Sequence, residues 1–546
     1  MKKIVADAIY LSNVITLNNA NTIAEAIVVD KGKIIYVGDK KTALTYKGKS
    51  TFVKDYGNKC IYPGFMDGHV HGVMAANMFA GYVNLSHAKS LNEYLKIMKQ
   101  FIKDNPGRKF YAGLGLKPDI VDIRKLHSSI LDKYLGENIC VYVQSQDNHT
   151  LWVISKVIRT RKISKAWADK YGKDSVLLDK NNNPTGVLCD APAMSIVTTL
   201  RLNKKKLEEG LLKWQEYSFA NGYTAQGEAA MFYGQPSFFP VRYHELVDSG
   251  KWKLRTYAYY LCPVNSAELA ETIKFAAQIA VEHNTEYFQI RWIKVFIDGV
   301  VEARTAWLKD SYCDQKGYHG SKLMPNLNTL VKIITEADKY AFNVHMHAIG
   351  DAAIKFGLDA IEKAAKITKN YGQRNILAHL QLVRKQDFAR FNKLNAIACV
   401  APMWCPKSPD FIKSEIKYIG KERSNNSYPV GSFFNNKVKT MFHTDFPVSS
   451  FTSIGQQIFR AVTRYCYAYG PKSIRGKKEA ISRLEALYGL TKYPAYSFRQ
   501  EANLGSLEVG KIANMSIFDT NFLTCPVNKI VKAKLVNTIV DGKIVY

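Results

Sequence analysis

Two histidines separated by one residue are the first feature of this sequence that could do chemistry. They close the segment Pro63–His71 as His69-Val70-His71. Side chains two positions apart on a β-strand point to the same face, so His69 and His71 can direct two imidazoles to one point. Because imidazole is a good ligand for zinc and similar metals, the pair indicates a metal site. Two histidines that only hydrogen-bond in a turn are the alternative.

Three later apolar segments also end in histidine or aspartate. They are Ala341–His347, Ile376–His379 and Val438–Asp445. In barrels of parallel strands the active site lies at the carboxyl ends of the strands. A single buried histidine is usually a core residue, but four such segments in one chain favour a shared set of ligands.

Lys294 lies inside the apolar segment Ile290–Ile297. A charged lysine is costly to bury, so one interpretation is an ion pair with Asp298 or another carboxylate. The other interpretation is a neutral amine, since burial lowers the pKa of a lysine. A neutral amine can react with CO₂, and the carbamate could bridge two metal ions as a carboxylate does.

The segments that must position these residues predict an α/β fold, a (β/α)₈ TIM barrel over residues 63–496. Strands and helix-period segments alternate through this region, which is typical of a parallel sheet. The β-rich ends, residues 1–62 and 497–546, predict a small composite β-sandwich domain built from both termini. Turn residues in Asp179–Gly186 predict an insertion at about 150–200. The strand candidates within the barrel region are Phe110–Leu114, Ile139–Gln144, Arg255–Tyr260, Ile290–Ile297, Ala341–His347, Ile376–His379, Ile397–Val400 and Val438–Phe442.

Composition and charge narrow the class of protein. Hydrophobic residues make up 47% of the chain and charged residues 23%, as in ordinary soluble domains. The net charge of +29 raises the question of a nucleic-acid partner. However, the lysines are scattered in short runs such as Lys204–Lys206, so we expect solvated surfaces and no nucleic-acid binding.

Cysteine usage and apolar segments bear on the location of the protein. The nine cysteines include no CxxC pair, which argues against a disulfide framework or a cysteine-based zinc site. Reduced thiols fit a cytoplasmic protein. No apolar run reaches the ~18 residues of a membrane span, and the first residues lack the apolar region of a secretory signal. We therefore expect a cytoplasmic protein that does not bind membranes.

The candidate ligands together resemble those of the amidohydrolase superfamily. The set is His69, His71, Lys294, His347, His379 and Asp445. The segments Pro63–His71, Lys294–Gly299 with Arg304–Ala306, His347–Asp351 and Gly505–Lys511 are similar to motifs of its YtcJ-like branch, the amidohydrolase-3 family. The resemblance extends from Ala6 to Tyr546. Two departures stand out: His443-Thr444-Asp445 replaces the common Gly-Ser-Asp, and Ala513-Asn514 replaces Ala-Asp.

The resemblance implies a metal-dependent hydrolase that cleaves a C–N bond other than a peptide bond. It implies two divalent ions, with zinc favoured. His69, His71 and Asp445 would hold the more buried ion, His347 and His379 the second, and carboxylated Lys294 would bridge them. His345 can face the same way as His347, so the choice of His347 depends on the family motif. Metal-activated hydroxide would attack the substrate, and Asp445 would pass the proton of the water to the departing nitrogen.

Four further residues are weaker candidates for contacts with a small-molecule substrate. They are His149, Trp152, Glu228 and Arg304. His149 could instead lie in a surface loop, and an ion pair is as good an explanation for Arg304. Besides the substrate, the expected partner is a second copy of the chain in a homodimer.

Two alternative functions stay open at this point. One is hydrolytic deamination, but deaminases of the superfamily usually carry a glutamate where this chain has Gly350. The other is a non-catalytic binding protein on the same fold, since a fold does not fix a function. The completeness of the ligand set favours the hydrolase.

Overall fold

The computed structural model describes residues 5–117, 120–145, 150–172, 175–189, 191–197, 200, 202–231, 238–264, 268–409 and 411–546. The strands form three sheets. They are β1 (Ala8–Ile15), β2 (Ile23–Asp30), β3 (Lys33–Gly38), β4 (Phe52–Pro63), β5 (Phe65–Val70), β6 (Tyr82–Asn84), β7 (Tyr111–Leu116), β8 (Val141–Ser145), β9 (Thr150–Val153), β10 (Val176–Leu178), β11 (Pro184–Cys189), β12 (Tyr223–Met231), β13 (Arg255–Leu261), β14 (Phe288–Phe296), β15 (Asn343–Ala348), β16 (Ile376–His379), β17 (Ile397–Val400), β18 (Thr440–Phe442), β19 (Met515–Phe518), β20 (Leu535–Val540) and β21 (Lys543–Ile544).

The helices alternate with the strands of the middle of the chain. They are α1 (Lys40–Leu44), α2 (Gly72–Ala80), α3 (Leu91–Asp104), α4 (Ser128–Leu135), α5 (Ser155–Thr160), α6 (Lys165–Tyr171), α7 (Ala191–Val197), α8 (Lys204–Phe219), α9 (Phe238–Asp248), α10 (Leu269–His283), α11 (Leu327–Lys339), α12 (Asp351–Thr368), α13 (Asp387–Lys393), α14 (Ile412–Asn425), α15 (Val430–Asn435), α16 (Ile454–Thr463), α17 (Arg483–Leu490), α18 (Lys492–Ser497) and α19 (Val527–Ile530). Among the described residues, no helix combines the length and the apolar character needed to cross a membrane.

The chain divides into two compact units. The first contains Met1–Val70, Gln215–Asp445 and Phe451–Tyr546, and the second contains His71–Trp214 and Phe446–Ser450. The first unit includes both the terminal strands and the barrel strands. The division into a β domain of 1–62 plus 497–546 and a barrel of 63–496 therefore stays a prediction.

The barrel of the first unit is an eight-stranded parallel sheet in the order β5-β12-β13-β14-β15-β16-β17-β18. Its two end strands approach each other, because the backbone N–H of Asp445 donates to the carbonyl of His69 at 3.1 Å. Gly68 permits this approach: a Cβ there would lie 2.8 Å from the carbonyl oxygen of Phe442. The sheet is nearly closed, and the predicted (β/α)₈ barrel is confirmed.

Helix α12 shows how the sequence covers the barrel. Its buried residues include Ile354, Leu358, Ile361 and Ala365, a spacing of three or four that places them on one face. The helix begins after Gly350, where the backbone of Trp307 leaves no room for a side chain. A Cβ at Gly350 would lie 2.0 Å from the carbonyl oxygen of Trp307. The strand end at β15 is thus fixed by close backbone contact.

The terminal residues of the first unit form a seven-stranded sheet in the order β21-β20-β19-β4-β1-β2-β3. Strands from both ends of the chain pair directly, since β19 is antiparallel to β4. The apolar residues of β1 alternate between two clusters: Ala8 and Tyr10 join one, and Ile9 and Leu11 join the other. Strands from the two termini therefore form one hydrogen-bonded sheet, as the composite β domain requires, and the predicted sandwich stays a prediction.

The second unit contains a six-stranded sheet in the order β10-β11-β9-β8-β7-β6. The predicted barrel strands Phe110–Leu114 and Ile139–Gln144 correspond to β7 and β8 of this sheet rather than to the barrel. The barrel instead uses β5 and β12. The sheet also begins well before the interruption expected at about residue 150.

Candidate metal centre

The pairing of β14 with β15 determines how far along the barrel each candidate ligand lies. Lys294 lies opposite His345, and Phe296 lies opposite His347. Alternation along β14 places Trp292 and Lys294 on the same face. Trp292 belongs to the apolar cluster of the barrel. Lys294 therefore lies directly beyond this cluster, toward the carboxyl end of the sheet.

Four buried side chains follow one another at 3.1–3.3 Å across the barrel. Oδ1 of Asp445 lies 3.1 Å from Nε2 of His69. Nδ1 of His69 lies 3.1 Å from Nε2 of His345, and Nδ1 of His345 lies 3.3 Å from Nζ of Lys294. None of the four is more than 4% exposed. The residues come from β5, β14, β15 and the end of β18, so the fold brings distant parts of the sequence to one point.

His379 and His347 extend this group at the strand ends. Their ring centroids lie 4.4 Å apart, and the ring of His379 lies 5.0 Å from that of His69. His379 ends β16 with a φ of +79°, in the left-handed region. Such a conformation is costly for a residue other than glycine and is common at functional sites. Nδ1 of His379 is buried and has no hydrogen-bond partner among the described residues.

The electrostatics of the site favour neutral nitrogen donors. Burial holds the pKa of His345 well below its usual value, and neighbouring Lys294 adds to the effect. Burial and the nearby His347 lower the pKa of His379 in the same way. Burial also lowers the pKa of Lys294 to about 7, although Asp445 opposes the shift. Neutral imidazole and amine nitrogens carry the free electron pair that metal coordination needs.

Lys294 has no ion-pair partner among the described residues. Asp298, the carboxylate that the sequence offered as one, instead accepts hydrogen bonds from the backbone N–H groups of Trp307, Ile349 and Gly350 at 2.8–3.0 Å. It therefore ties the loop after β14 to the end of β15. The ion-pair interpretation of Lys294 finds no support in this arrangement.

Sequence reasoning missed Asp67, which holds the end of β18 through Thr444. Asp67 accepts hydrogen bonds from the backbone N–H of His69 at 3.2 Å and from the backbone N–H and hydroxyl of Thr444 at 3.1 and 2.5 Å. Burial raises the pKa of Asp67 to about 7. The change from serine to threonine at position 444 thus keeps a hydroxyl group. The segment Pro63–His71 contained Asp67, but no periodicity singled it out.

His443 stands where the family commonly has glycine, and it adds an imidazole to the site. Its ring lies 5.1 Å from that of His69, 5.2 Å from that of His379 and 5.6 Å from that of Trp404. Trp404 is half-buried and also lies 5.5 Å from the ring of His379. Together, His443 and Trp404 form an aromatic border beside the histidines.

His71 follows the last residue of β5 and is the first residue of the second unit. Its backbone N–H donates to the carbonyl of Phe446 at 2.8 Å. It lies two residues beyond His69 along the chain, as the family motif requires. Its role as a ligand stays a prediction.

The four weaker candidates have different surroundings. Trp152 is fully buried in the apolar core of the six-stranded sheet, which favours a packing role over a substrate contact. Glu228 on β12 is buried and accepts a hydrogen bond from the hydroxyl of Tyr243 on α9 at 3.3 Å. Arg304 forms an ion pair with Asp314 at 3.2 Å, which was the alternative to a substrate contact. His149 lies outside the described residues.

The donors present fit a divalent metal ion. His69, His345 and Cys399 place three buried donor atoms within 4.8 Å of one another, and Asp445 adds a carboxylate to His69. Histidine and carboxylate donors suit zinc and similar ions. A side chain at Gly350, where related deaminases carry glutamate, does not fit beside Trp307. The donor set is compatible with a metal-dependent enzyme, and position 350 has no room for a glutamate side chain in this structure.

Solved structures share the fold. A metal-dependent hydrolase from Pyrococcus furiosus is 23% identical, with a TM-score of 0.74, over 95% of this chain and 100% of that one. A metal-dependent hydrolase from Pyrococcus horikoshii OT3 is 21% identical, with a TM-score of 0.77, over 95% and 99%. These similarities confirm the α/β barrel architecture.

Relatives in sequence span the whole chain. The putative amidohydrolase YtcJ of Bacillus subtilis (strain 168) is 23% identical over 96% of both chains. The N-substituted formamide deformylase of Arthrobacter pascens is 21% identical over 98% of this chain and 97% of its own length. The model of the amidohydrolase family matches residues 53–546. The chain therefore belongs to the amidohydrolase family.

Proposed function

We propose that this protein hydrolyses a C–N bond of the amide type, other than a peptide bond, in a small-molecule substrate. One observation carries the proposal. Buried imidazole, amine and carboxylate groups converge where β5, β14, β15, β16 and β18 end, with Oδ1 of Asp445 3.1 Å from Nε2 of His69. This is the part of a barrel where catalytic groups are found.

Two divalent ions, with zinc favoured, would be held by these residues. His69, His71 and Asp445 would hold one ion, and His347 and His379 the other. Carboxylated Lys294 would bridge them. The buried Nδ1 of His379 and the absence of an ion pair for Lys294 in the described part of the chain support these roles.

The chemistry divides between the metal and the chain. A divalent ion held here supplies a lowered pKa for water and polarises a carbonyl group. Asp445 accepts a proton at Oδ1 and then donates it to the departing nitrogen, as a general base and acid in turn. The neighbouring His69 and the hydrogen bonds between Thr444 and Asp67 keep this carboxylate in place.

The substrate class is supported by a relative and by the border of the site. The relative from Arthrobacter pascens acts on N-substituted formamides by its name. The half-buried ring of Trp404 next to His379 gives this chain an apolar surface for the substituent on nitrogen. A cytoplasmic location is proposed because the nine cysteines include no CxxC pair and are odd in number, which argues against a disulfide framework.

A screen of zinc-loaded protein against N-formyl amines, acyl amines and aminated heterocycles tests the proposal. We expect amine release from the first two classes. The variant Asp445→Asn should lose this activity, while Arg304→Ala, which removes a partly exposed ion pair with Asp314 and a contact with Tyr418, should keep it. Ammonia released from the heterocycles alone would favour deamination, and turnover of none of the amides would contradict the proposal.

A further inference from the structure

We propose that His345 is a positioning residue that holds two metal ligands, His69 and Lys294, in register. The inference depends on the proposed function, because it assigns His345 a role toward the metal centre. His345 itself was only an alternative to His347 in the sequence. The structure gives the two histidines of β15 different surroundings.

His345 uses both ring nitrogens on the two ligands. Nε2 lies 3.1 Å from Nδ1 of His69, and Nδ1 lies 3.3 Å from Nζ of Lys294. The register of β14 and β15 places Lys294 directly opposite His345, which makes the second contact. The two contacts occupy the hydrogen-bonding capacity of one imidazole. His345 therefore joins the carboxylate side of the site to the lysine side.

The ring of His345 is held from a third direction. It stacks on Tyr259, with ring centroids 4.4 Å apart and planes 25° apart. The hydroxyl of Tyr259 donates to the carbonyl of Gly68 at 2.8 Å, beside His69. Since His345 is 0% exposed, no solvent replaces these contacts. Its orientation is set by the protein alone.

The hydrogen bonds also have a required direction. If His69 holds a metal ion through Nε2, the proton of its ring would be on Nδ1 and would be donated to Nε2 of His345. The proton of His345 would then be on Nδ1, and Nζ of Lys294 accepts it in the neutral amine form that precedes carboxylation. A partner that accepts from a ligating histidine fixes its tautomer and orientation. His345 thus keeps Nε2 of His69 available.

The alternative role for His345 is direct ligation together with Cys399. The donor atoms of His69, His345 and Cys399 all lie within 4.8 Å of one another. However, ligation through Nε2 of His345 requires that its contact with His69 be broken. The geometry therefore favours positioning over ligation.

Four variants of the full chain separate these roles. His345→Phe removes both hydrogen bonds and keeps a ring for Tyr259. In His345→Gln, the side-chain amide reaches the position of Nε2 and can keep the contact with His69. In His345→Asn, the shorter amide reaches the position of Nδ1 and can keep the contact with Lys294. Cys399→Ala tests direct ligation. Zinc content and zinc affinity, by competition with a chromophoric chelator, are the readouts, with near-ultraviolet circular dichroism as the control for folding.

We expect His345→Phe to weaken zinc affinity roughly 10–100-fold, the size of effect seen when a partner of a ligating histidine is removed. His345→Gln should keep the first zinc equivalent better than His345→Asn does, because only the glutamine side chain reaches His69. Cys399→Ala should bind zinc as the wild type does.

Wild-type affinity in a folded His345→Phe variant would overturn the inference, and so would equal losses in His345→Phe and Cys399→Ala. If His345→Phe does not fold, identical zinc binding by the Gln and Asn variants would overturn it. Wild-type protein that takes up no zinc would overturn the proposed function itself. That result is distinguishable from failure of the His345 inference, because it is obtained with the wild type alone and needs no variant.

Discussion

The barrel sheet and the six-stranded sheet are built from similar apolar strands, yet they bury different polar groups. The barrel strands end in groups that can ionise, among them His69, Lys294 and Asp445. The buried polar residues of the described six-stranded sheet are uncharged: Gln144, Ser145, Thr150 and Thr185. Hydrogen bonds can offset the cost of burying uncharged polar groups. For example, the backbone N–H of Thr150 donates to the hydroxyl of Ser145 at 2.8 Å.

This difference points to the carboxyl end of the barrel sheet as the place of the candidate metal centre. Burying an ionisable group is costly, so several of them side by side need a reason other than stability. The site offers that reason, because neutral imidazoles and a carboxylate together suit a metal ion. The core around Trp152 needs no such explanation. We therefore expect changes at the barrel end to affect catalysis and changes at Trp152 to affect stability.

The largest expected effect is a loss of catalytic rate on substitution of Asp445. Asp445→Asn keeps the size of the side chain but cannot accept and return the proton. We expect kcat to fall by about 10²–10⁴-fold on an amide identified by the screen. Steady-state kinetics with the metal content measured in parallel checks this. A variant with full metal content and undiminished kcat would exclude Asp445 as the general base.

Trp152→Ala probes the other side of the comparison. Removing a fully buried tryptophan should lower the free energy of unfolding by ~3–5 kcal/mol. Zinc content should not change in the protein that stays folded. Denaturant unfolding and metal analysis together check both points. Loss of zinc from folded protein would break the distinction between the two sheets.

The lowered pKa of Lys294 predicts how the free energy of unfolding of the metal-free protein depends on pH. Its pKa is about 7 in the folded state and near 10.5 in the unfolded state. The unfolded state therefore binds more protons between these values, and the stability contributed at this site rises with pH from about 7 to 10.5. Lys294→Met should abolish that part of the slope in denaturant unfolding at pH 7–10. Parallel slopes for variant and wild type would show that the amine is charged in the folded state.

The smallest expected effect on stability and on substrate binding is that of substituting Arg304. Its ion pair with Asp314 is partly exposed, so Arg304→Ala should change the free energy of unfolding by less than ~1 kcal/mol. We expect KM to stay within about twofold of the wild-type value. A large rise in KM without a change in kcat would instead assign Arg304 to substrate binding, as the sequence first suggested.

The sequence predicted the barrel and indicated polar residues at its strand ends because both depend on local patterns, while their roles as ligands depend on the family resemblance. It assigned Phe110–Leu114 and Ile139–Gln144 to the barrel, since an apolar strand followed by a helix looks the same in either sheet. Only long-range pairing separates them. His345 and His347 share one face of β15, so periodicity alone could not rank them. His379 enters the site through a left-handed φ, which no alternation predicts.

The metal content of wild-type protein, purified without chelators, tests the central claim most directly. We predict about two equivalents of a divalent ion per chain, with zinc favoured, as a bridged site held by histidines, Lys294 and Asp445 requires. One equivalent would remove the bridge through Lys294. A folded protein that contains no metal, and binds none when zinc is added, would contradict the account.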